Sequence, residues 1–372
     1  MFERSWTEIS LGTIRNNFEI YRGNLSDVNL CIMPVVKADA YGHGDVEVAK
    51  VLQDAGAKEF AVSNIEEAIR LRCNGISGMI LILGYTPVSM AKELFEFRIT
   101  QTILSKEYAE ELSKSANGLR LQCQFAVDTG MNRIGIDGDH PQICSQIIRQ
   151  FSDEFDITGI FTHLCVADSL DKEDMSFTRS QIQKFKAVAE QLSDMQLKYI
   201  HCMNSAGGIY ATPTFGNMVR LGIILYGLKP NRRNVLPNGI CPALQWKSVI
   251  SMIKDVHIGE YVGYGRTFCA PYDMRVATVT TGYADGYSRA LSNKGHVLID
   301  GVQAKIIGTI CMDQFMIDVT NIKNIYIGKE VILLGKSGDA ELTADEMAEQ
   351  VGTIGYEVVC SISKRVPRKF NS

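Results

Sequence analysis

Long apolar runs are missing from this sequence of 372 residues, and with no stretch of about 18 apolar residues nothing in it is expected to span a bilayer as a helix. The opening "MFERSWTEIS" lacks the apolar core of a secretory signal. Charge of one sign is scarce too: a net charge of −4 leaves no footprint for nucleic acid or an anionic membrane surface. Cysteine is plentiful at ten, but none forms a CxxC, and the six histidines are equally scattered, which argues against a zinc centre. Without a secretory signal a disulfide framework is not expected in a chain this long, so reduced thiols in the cytoplasm are. What remains is an ordinary globular composition, 46% hydrophobic and 22% charged, long enough for two domains or one large barrel with an addition.

One theme repeats eight times between residues 29 and 227. A short apolar run ends in polar residues, and an amphipathic stretch follows. The runs are "NLCIMPVVKA", "EFAVSN", "MILILGY", "ITQTIL", "LRLQCQFAVD", "DITGIFTHL", "KYIHCMNS" and "MVRLGIILYG". Segments 64–75 and 176–195 have helical apolar spacing, and Ser63-Asn64 followed by Glu66 and Glu67 reads as a capped helix start. Strand and helix in alternation predict an α/β fold of parallel strands with helices outside, either a (β/α)8 TIM-type barrel or a doubly wound open sheet. The pattern changes at "KPNRRNVLPNGICP" (229–242), beyond which short apolar strands and one helix near "TADEMAEQVG" predict a mostly β C-terminal domain. The domains expected are a barrel at 9–230 and a β domain at 231–372 that includes 1–8.

In a barrel, the strand ends on one face carry the site. Those ends read Lys37, Ser63, Tyr85, Asp128, His163, Ser205 and Arg220, a polar set for such apolar strands. Each has a bland reading: His163 as a hydrogen-bonded core histidine, Asp128 as a turn or helix cap. Lys37 is the most demanding, because a charged lysine closing a buried strand is costly unless paired, exposed or chemically committed. The glycine of "RLGIILYG" leaves room for a phosphate to approach backbone N–H groups, with the Ser205 hydroxyl beside it. A lysine amine and a phosphate site on one face suggest a Schiff base with pyridoxal phosphate, although spacing alone favours a sugar-phosphate enzyme.

Eight motifs, in order over the whole chain, add a family to this reading: "VVKADAYGHG", "DTGMNRIG", "MNSAG", "VRLGIILYG", "VGYGRTF", "GYADGY", "TICMDQFMIDVT" and "RVPR". The sequence resembles the alanine racemases in all of them. The resemblance implies a barrel carrying pyridoxal 5'-phosphate, a C-terminal β domain, and a homodimer whose sites are shared between subunits. Lys37 would bind the cofactor covalently. Tyr41, Ser205, Tyr356 and the N–H groups of Gly222 and Ile223 would hold its phosphate. Arg220, supported by His201, would face the pyridine nitrogen, with His163 nearby, and Arg133 would serve the phenolic oxygen and the substrate carboxylate. From the partner subunit would come Tyr264 as a base, Met312 as an N–H donor to the carboxylate, and Asp313 in support, with Tyr283, Arg289 and Asp168 lining the entrance.

Such a set suits racemisation, which removes the α-proton on one face and returns one on the other. Lys37 and Tyr264 would be the two bases. An ordinary tyrosine titrates near pH 10, so a tyrosine base working near neutrality draws on nearby donors and positive charge, here His163 coupled to Arg220. Without the resemblance, Tyr264 reads as a strand aromatic. Arg220 can only donate, which leaves the pyridine nitrogen unprotonated and disfavours side reactions.

Two positions depart from the family pattern. Ala126 stands where a lysine, often carbamylated, is usual, so a chloride or similar anion is expected beside Arg133; an Arg133 with only bulk water beside it would count against this. Thr309 stands where an arginine is common. The resemblance also extends to the catalytic domains of membrane-bound serine/alanine racemases of vancomycin resistance, and the abrupt start would suit either such a cytoplasmic domain or a soluble enzyme. Tyr356 should crowd a serine side chain, so alanine is expected over serine. The competing readings are a serine racemase, an amino-acid decarboxylase of similar build, and a non-catalytic pyridoxal phosphate carrier.

Overall fold

The computed structural model describes residues 4–371 except 26, 28, 29, 212 and 213; Asn29 of the first expected run, and residues 1–3 and 372 of the expected domain limits, lie outside them. Ten strands precede the linker: β1 (Ser5–Ser10), β2 (Cys31–Pro34), β3 (Glu59–Val62), β4 (Met79–Ile82), β5 (Thr100–Ile103), β6 (Leu121–Asp128), the two-residue β7 (Ile136–Asp137), β8 (Phe155–Phe161), β9 (Tyr199–His201) and β10 (Met218–Leu221). Parallel pairing runs β3-β4-β5-β6-β8-β9, and β10 pairs with β2. Single parallel bridges, Val35 to Ala61 and Met203 to Val219, join the two groups into a closed ring of eight strands. The expected (β/α)8 barrel therefore forms, and the open-sheet alternative does not. The strands read as continuous apolar runs because a parallel sheet is covered on both faces. Thr100, Gln101, Thr102 and Gln124 are fully buried polar exceptions on these strands.

Helices cover the outside as the periodicity predicts. Asn64 caps Ile65–Cys73 by accepting from the Glu67 N–H at 2.9 Å. A 20-residue helix, Lys172–Gln191, begins four residues before the expected segment 176–195. No helix among the described residues is long and apolar enough to cross a membrane.

Beyond the linker, β11 (Leu244–Val256) is the spine of a nine-stranded sheet. It pairs antiparallel with Met274–Val279 on one side and with Glu330–Ser337 on the other, which closes part of the sheet on itself. The first strand of the chain belongs here too: β1 pairs antiparallel with β11 and parallel with Arg368–Asn371. Trp246, Tyr287 and Phe315 fill the centre, with Tyr287 stacked on Phe315 at 4.9 Å, a contact worth about 0.5–1.5 kcal/mol beyond its burial. The capped helix Ala344–Val351 is present as expected, but a second helix, Gly355–Cys360, follows it. Its six residues are too few for a periodic signal, yet they carry Tyr356 back to the barrel mouth.

Candidate active site

Lys37 lies just beyond β2 and opens a turn that no sequence pattern announces. Ala38, Asp39, Ala40 and Tyr41 all have φ between 52 and 56°, a left-handed run of four non-glycine residues. Each costs roughly 1–2 kcal/mol relative to ordinary backbone, so the surrounding contacts must hold it. The run puts Lys37 and Tyr41 on the wall of a cavity of about 660 Å³ at the C-terminal ends of the strands. Asp168, His163, Ser205, Arg220, Gly222, Ile223, Tyr356 and Cys360 line the same cavity. Burial, with Arg133 next, pushes the Lys37 amine below its ordinary pKa, which favours the neutral, nucleophilic form.

Opposite Lys37, donors converge on one spot. Gly222 N–H donates to Ser205 Oγ at 2.7 Å, and a Cβ placed on Gly222 would meet Tyr41 Oη at 2.9 Å and Ser205 Oγ at 3.5 Å. Only glycine leaves this spot open. The Tyr41 ring packs 5.0 Å from Tyr226 and 6.1 Å from Tyr356. Burial raises the Tyr41 and Tyr356 phenols, so both remain neutral donors.

Arg220 sits within β10 rather than at its end, and it is buried. Among the described residues, no carboxylate pairs with it. Its Nη1 donates to His201 Nδ1 at 2.7 Å, and its Nη2 to the carbonyl of Thr162 at 2.7 Å and to His163 Nδ1 at 3.1 Å. The guanidinium also lies 5.4 Å over the Phe161 ring. Burial pulls it down to about 10, so it stays charged at neutral pH. Because a guanidinium has no acceptor, both imidazoles must offer it a bare Nδ1 and carry their proton on Nε2. For His201 that proton is donated to Gln124 Oε1 at 2.7 Å. Burial first, and Arg220 second, hold His163 and His201 well below the ordinary histidine range.

A pH dependence follows. His43 and His201 are both buried, and burial pushes His43 down to about 4. Unfolded histidines take up a proton near pH 6.5, so between there and the lowered folded values the unfolded state binds more protons. Acidification then costs up to about 1.4 kcal/mol of stability per pH unit for each of the two histidines. The urea midpoint should fall measurably from pH 6.5 to pH 5; equal midpoints would contradict the neutral assignment.

Arg133 and Ala126 border a side chamber of about 280 Å³ shared with Lys37 and His163. Asp128 bears out its bland reading, its carboxylate accepting from the N–H groups of Gly130 at 2.9 Å and Asn132 at 3.1 Å as a turn cap. Tyr85 is exposed, its ring tilted against that of Tyr108 at 5.5 Å.

The remaining expected site residues are elsewhere on the chain. Tyr264 is 73% exposed on a tight turn that follows Gly263, whose φ is 75° and whose added Cβ would strike Met316 Cε at 2.9 Å. Thr309 donates to the Tyr264 carbonyl at 3.0 Å, so it shapes that turn. Met312 and Tyr283 are also exposed and adjoin through the Ala284 N–H to Met312 carbonyl bond of 3.0 Å. Asp313 pairs with Arg365 at 2.7 Å, and Arg365 with the buried Asp285 at 3.0 Å. Among the described residues, Tyr264, Tyr283, Arg289, Met312 and Asp313 line neither cavity at Lys37. The Tyr264 face and the Lys37 cavity thus lie apart on the chain. Sequence reasoning missed Glu67, read only as part of a helix start, and Cys360, on the unannounced helix.

The fold is a parallel barrel followed by a β domain, with a lysine at the barrel mouth beside a hydroxyl-and-glycine cradle. Two family models match this chain: the alanine racemase N-terminal domain at residues 9–230 and the alanine racemase C-terminal domain at 243–370. It is 42% identical to alanine racemase 1 of Clostridium acetobutylicum over 98% of this chain and 95% of that one. Alanine racemase of Clostridium perfringens is 40% identical with the same two coverages. Its fold superposes at a TM-score of 0.92 on alanine racemase of Bacillus anthracis with bound L-Ala-P, at 33% identity over 100% of this chain and 96% of that one. Alanine racemase of Clostridium difficile in complex with cycloserine gives 0.89 at 36% identity, over the same shares. The chain belongs to the alanine racemase family.

Proposed function

We propose that this chain interconverts L- and D-alanine with pyridoxal 5'-phosphate, as a homodimer in which each barrel mouth is completed by the other subunit. The observation that carries the reading is Arg220, a buried guanidinium facing the cavity with histidines and carbonyls around it and no acid. The cofactor fits the residues present: the open spot at Gly222, with the Ser205, Tyr41 and Tyr356 hydroxyls and the Gly222 and Ile223 N–H groups, suits a phosphate, and Lys37 supplies the amine. When bound, the group supplies an electron sink that acidifies the substrate's α-carbon. A permanent donor in place of an acid tempers that sink and works against the decarboxylase alternative.

The chain's own residues do the rest. Lys37 Nζ holds and moves the proton on one face of the α-carbon. The phenol of Tyr264 of the partner subunit does so on the other, and its exposure on this chain suits a residue that works outside it. His163, which must carry its proton on Nε2, can donate from that nitrogen into the cavity and steady a phenolate there. Arg133 takes the substrate carboxylate, the partner's Met312 adds its N–H, and the small anion expected beside Arg133 belongs to the same reading.

The relatives described above are named alanine racemases, so the serine alternative and its link to glycopeptide resistance are not favoured. Tyr356, against Tyr41 at 6.1 Å, narrows the same cavity. With the cofactor added, L-serine should be turned over with roughly 10- to 100-fold lower kcat/KM than L-alanine, scored as D-enantiomer by chiral chromatography. Equal or faster turnover of serine would overturn the assignment of substrate.

A further inference from the structure

The left-handed turn after Lys37 is held at its start by the side chain of Glu67. Glu67, in the first turn of the helix Ile65–Cys73, has a buried carboxylate. Its Oε1 accepts from the Ala38 N–H and its Oε2 from the Ser63 N–H, both at 2.7 Å. Ala38 follows Lys37 and is the first left-handed residue; Ser63 follows β3. One carboxylate therefore bridges the loops after β2 and β3. Of the turn's other bonds, Ala40 N–H to the Val36 carbonyl and Gly44 N–H to the Asp39 carbonyl, both at 2.9 Å, are local, and Arg368 Nε holds the far end by donating to the Gly42 carbonyl at 3.2 Å. Asp45, just beyond, is gripped by Arg70 from the helix that carries Glu67, at 2.9 Å.

We propose that Glu67 is a positioning residue for Lys37: by accepting from both Ala38 and Ser63 it fixes the left-handed turn that aims the lysine amine into the cavity, and it places a carboxylate charge one residue from the lysine. This rests on the reading of Lys37 as the reactive amine. The charged and titratable groups around Lys37 are Arg133 after β6, His163 after β8, Arg220 on β10, Cys360 on the C-terminal helix and Glu67. Burial and the arginines favour the neutral amine, and Glu67 opposes them.

Both oxygens are needed. A glutamine would accept from one N–H and turn its own N–H₂ toward the other, and an aspartate is one methylene too short to bridge both. The test uses the full chain without cofactor, following the labelling of Lys37 by an amine-reactive anhydride against pH by mass spectrometry, with thermal unfolding in parallel. In Glu67→Gln the labelling midpoint should move to lower pH, because a negative charge that favoured the ammonium is gone. In Glu67→Asp, which keeps the charge, the midpoint should stay near wild type. With cofactor added, both variants should lose roughly 10- to 100-fold in kcat with KM for alanine little changed. An unmoved midpoint in folded Glu67→Gln, or wild-type kcat in folded Glu67→Asp, overturns the proposal. Either result with an inactive Lys37→Ala leaves the reading of Lys37 standing, whereas an active Lys37→Ala removes its foundation.

Discussion

Replacing Lys37 with alanine should abolish racemisation, with D-alanine formation from L-alanine falling by about four orders of magnitude or more. A positioned acid–base group contributes about 10²–10⁴, and Lys37 is assigned both a proton and the covalent hold on the cofactor. The fold should not suffer. The Lys37 amine makes no hydrogen bond or ion pair with another described residue, and burial already disfavours its charge. Removing an amine that is costly to keep ionised leaves no buried partner stranded. The thermal midpoint should therefore stay within a few degrees of wild type while the rate is lost, and the visible absorbance that a lysine-bound cofactor gives should be absent. A folded Lys37→Ala retaining a tenth of wild-type activity would place the reacting amine elsewhere.

The ease with which the barrel could be read, against the difficulty of the turn at Lys37, has a physical basis. Strands covered on both faces are mostly apolar, so most of the eight announce themselves as runs such as "MILILGY", with β5 (TQTI) the least apolar. A left-handed turn of Ala38, Asp39, Ala40 and Tyr41 has no compositional mark, because these residues do not prefer that conformation. It exists only because contacts distant in sequence, Glu67 among them, impose it. Glu67 looked like a first-turn acid suited to the helix dipole, which it also is; its second task depends on a loop 29 residues away. Arg220 was legible as a chemically pointed residue, but its surroundings came from β8 and β9, out of reach of local pattern. The β1 strand shows the same limit, since its partners lie beyond the linker and at the far C-terminal end.

Mixing two inactive variants should restore activity. Lys37 and Tyr264 lie apart on the chain, the first in the cavity and the second 73% exposed and lining neither chamber. In a two-fold dimer with crossed sites, each site takes Lys37 from one subunit and Tyr264 from the other. Alone, Lys37→Ala lacks the first in both sites, and Tyr264→Phe lacks the second, with an expected loss of about 10²–10⁴ in racemisation. A mixed dimer gathers both substitutions into one site and leaves the other wild type. If subunits exchange at random, about half the dimers are mixed, and each has one of two sites intact, so about a quarter of wild-type activity should return. The measurement is D-alanine production after mixing equal amounts of the two variants, unfolding and refolding them together, against each variant refolded alone. Sites built within one subunit would give no recovery, because every subunit would still lack one base. Tyr264→Phe also separates the two proton transfers: its homodimer keeps Lys37, so in deuterated water it should exchange the α-proton of one alanine enantiomer and not the other. Exchange of both at equal rates would mean that Tyr264 is not the base of the second face.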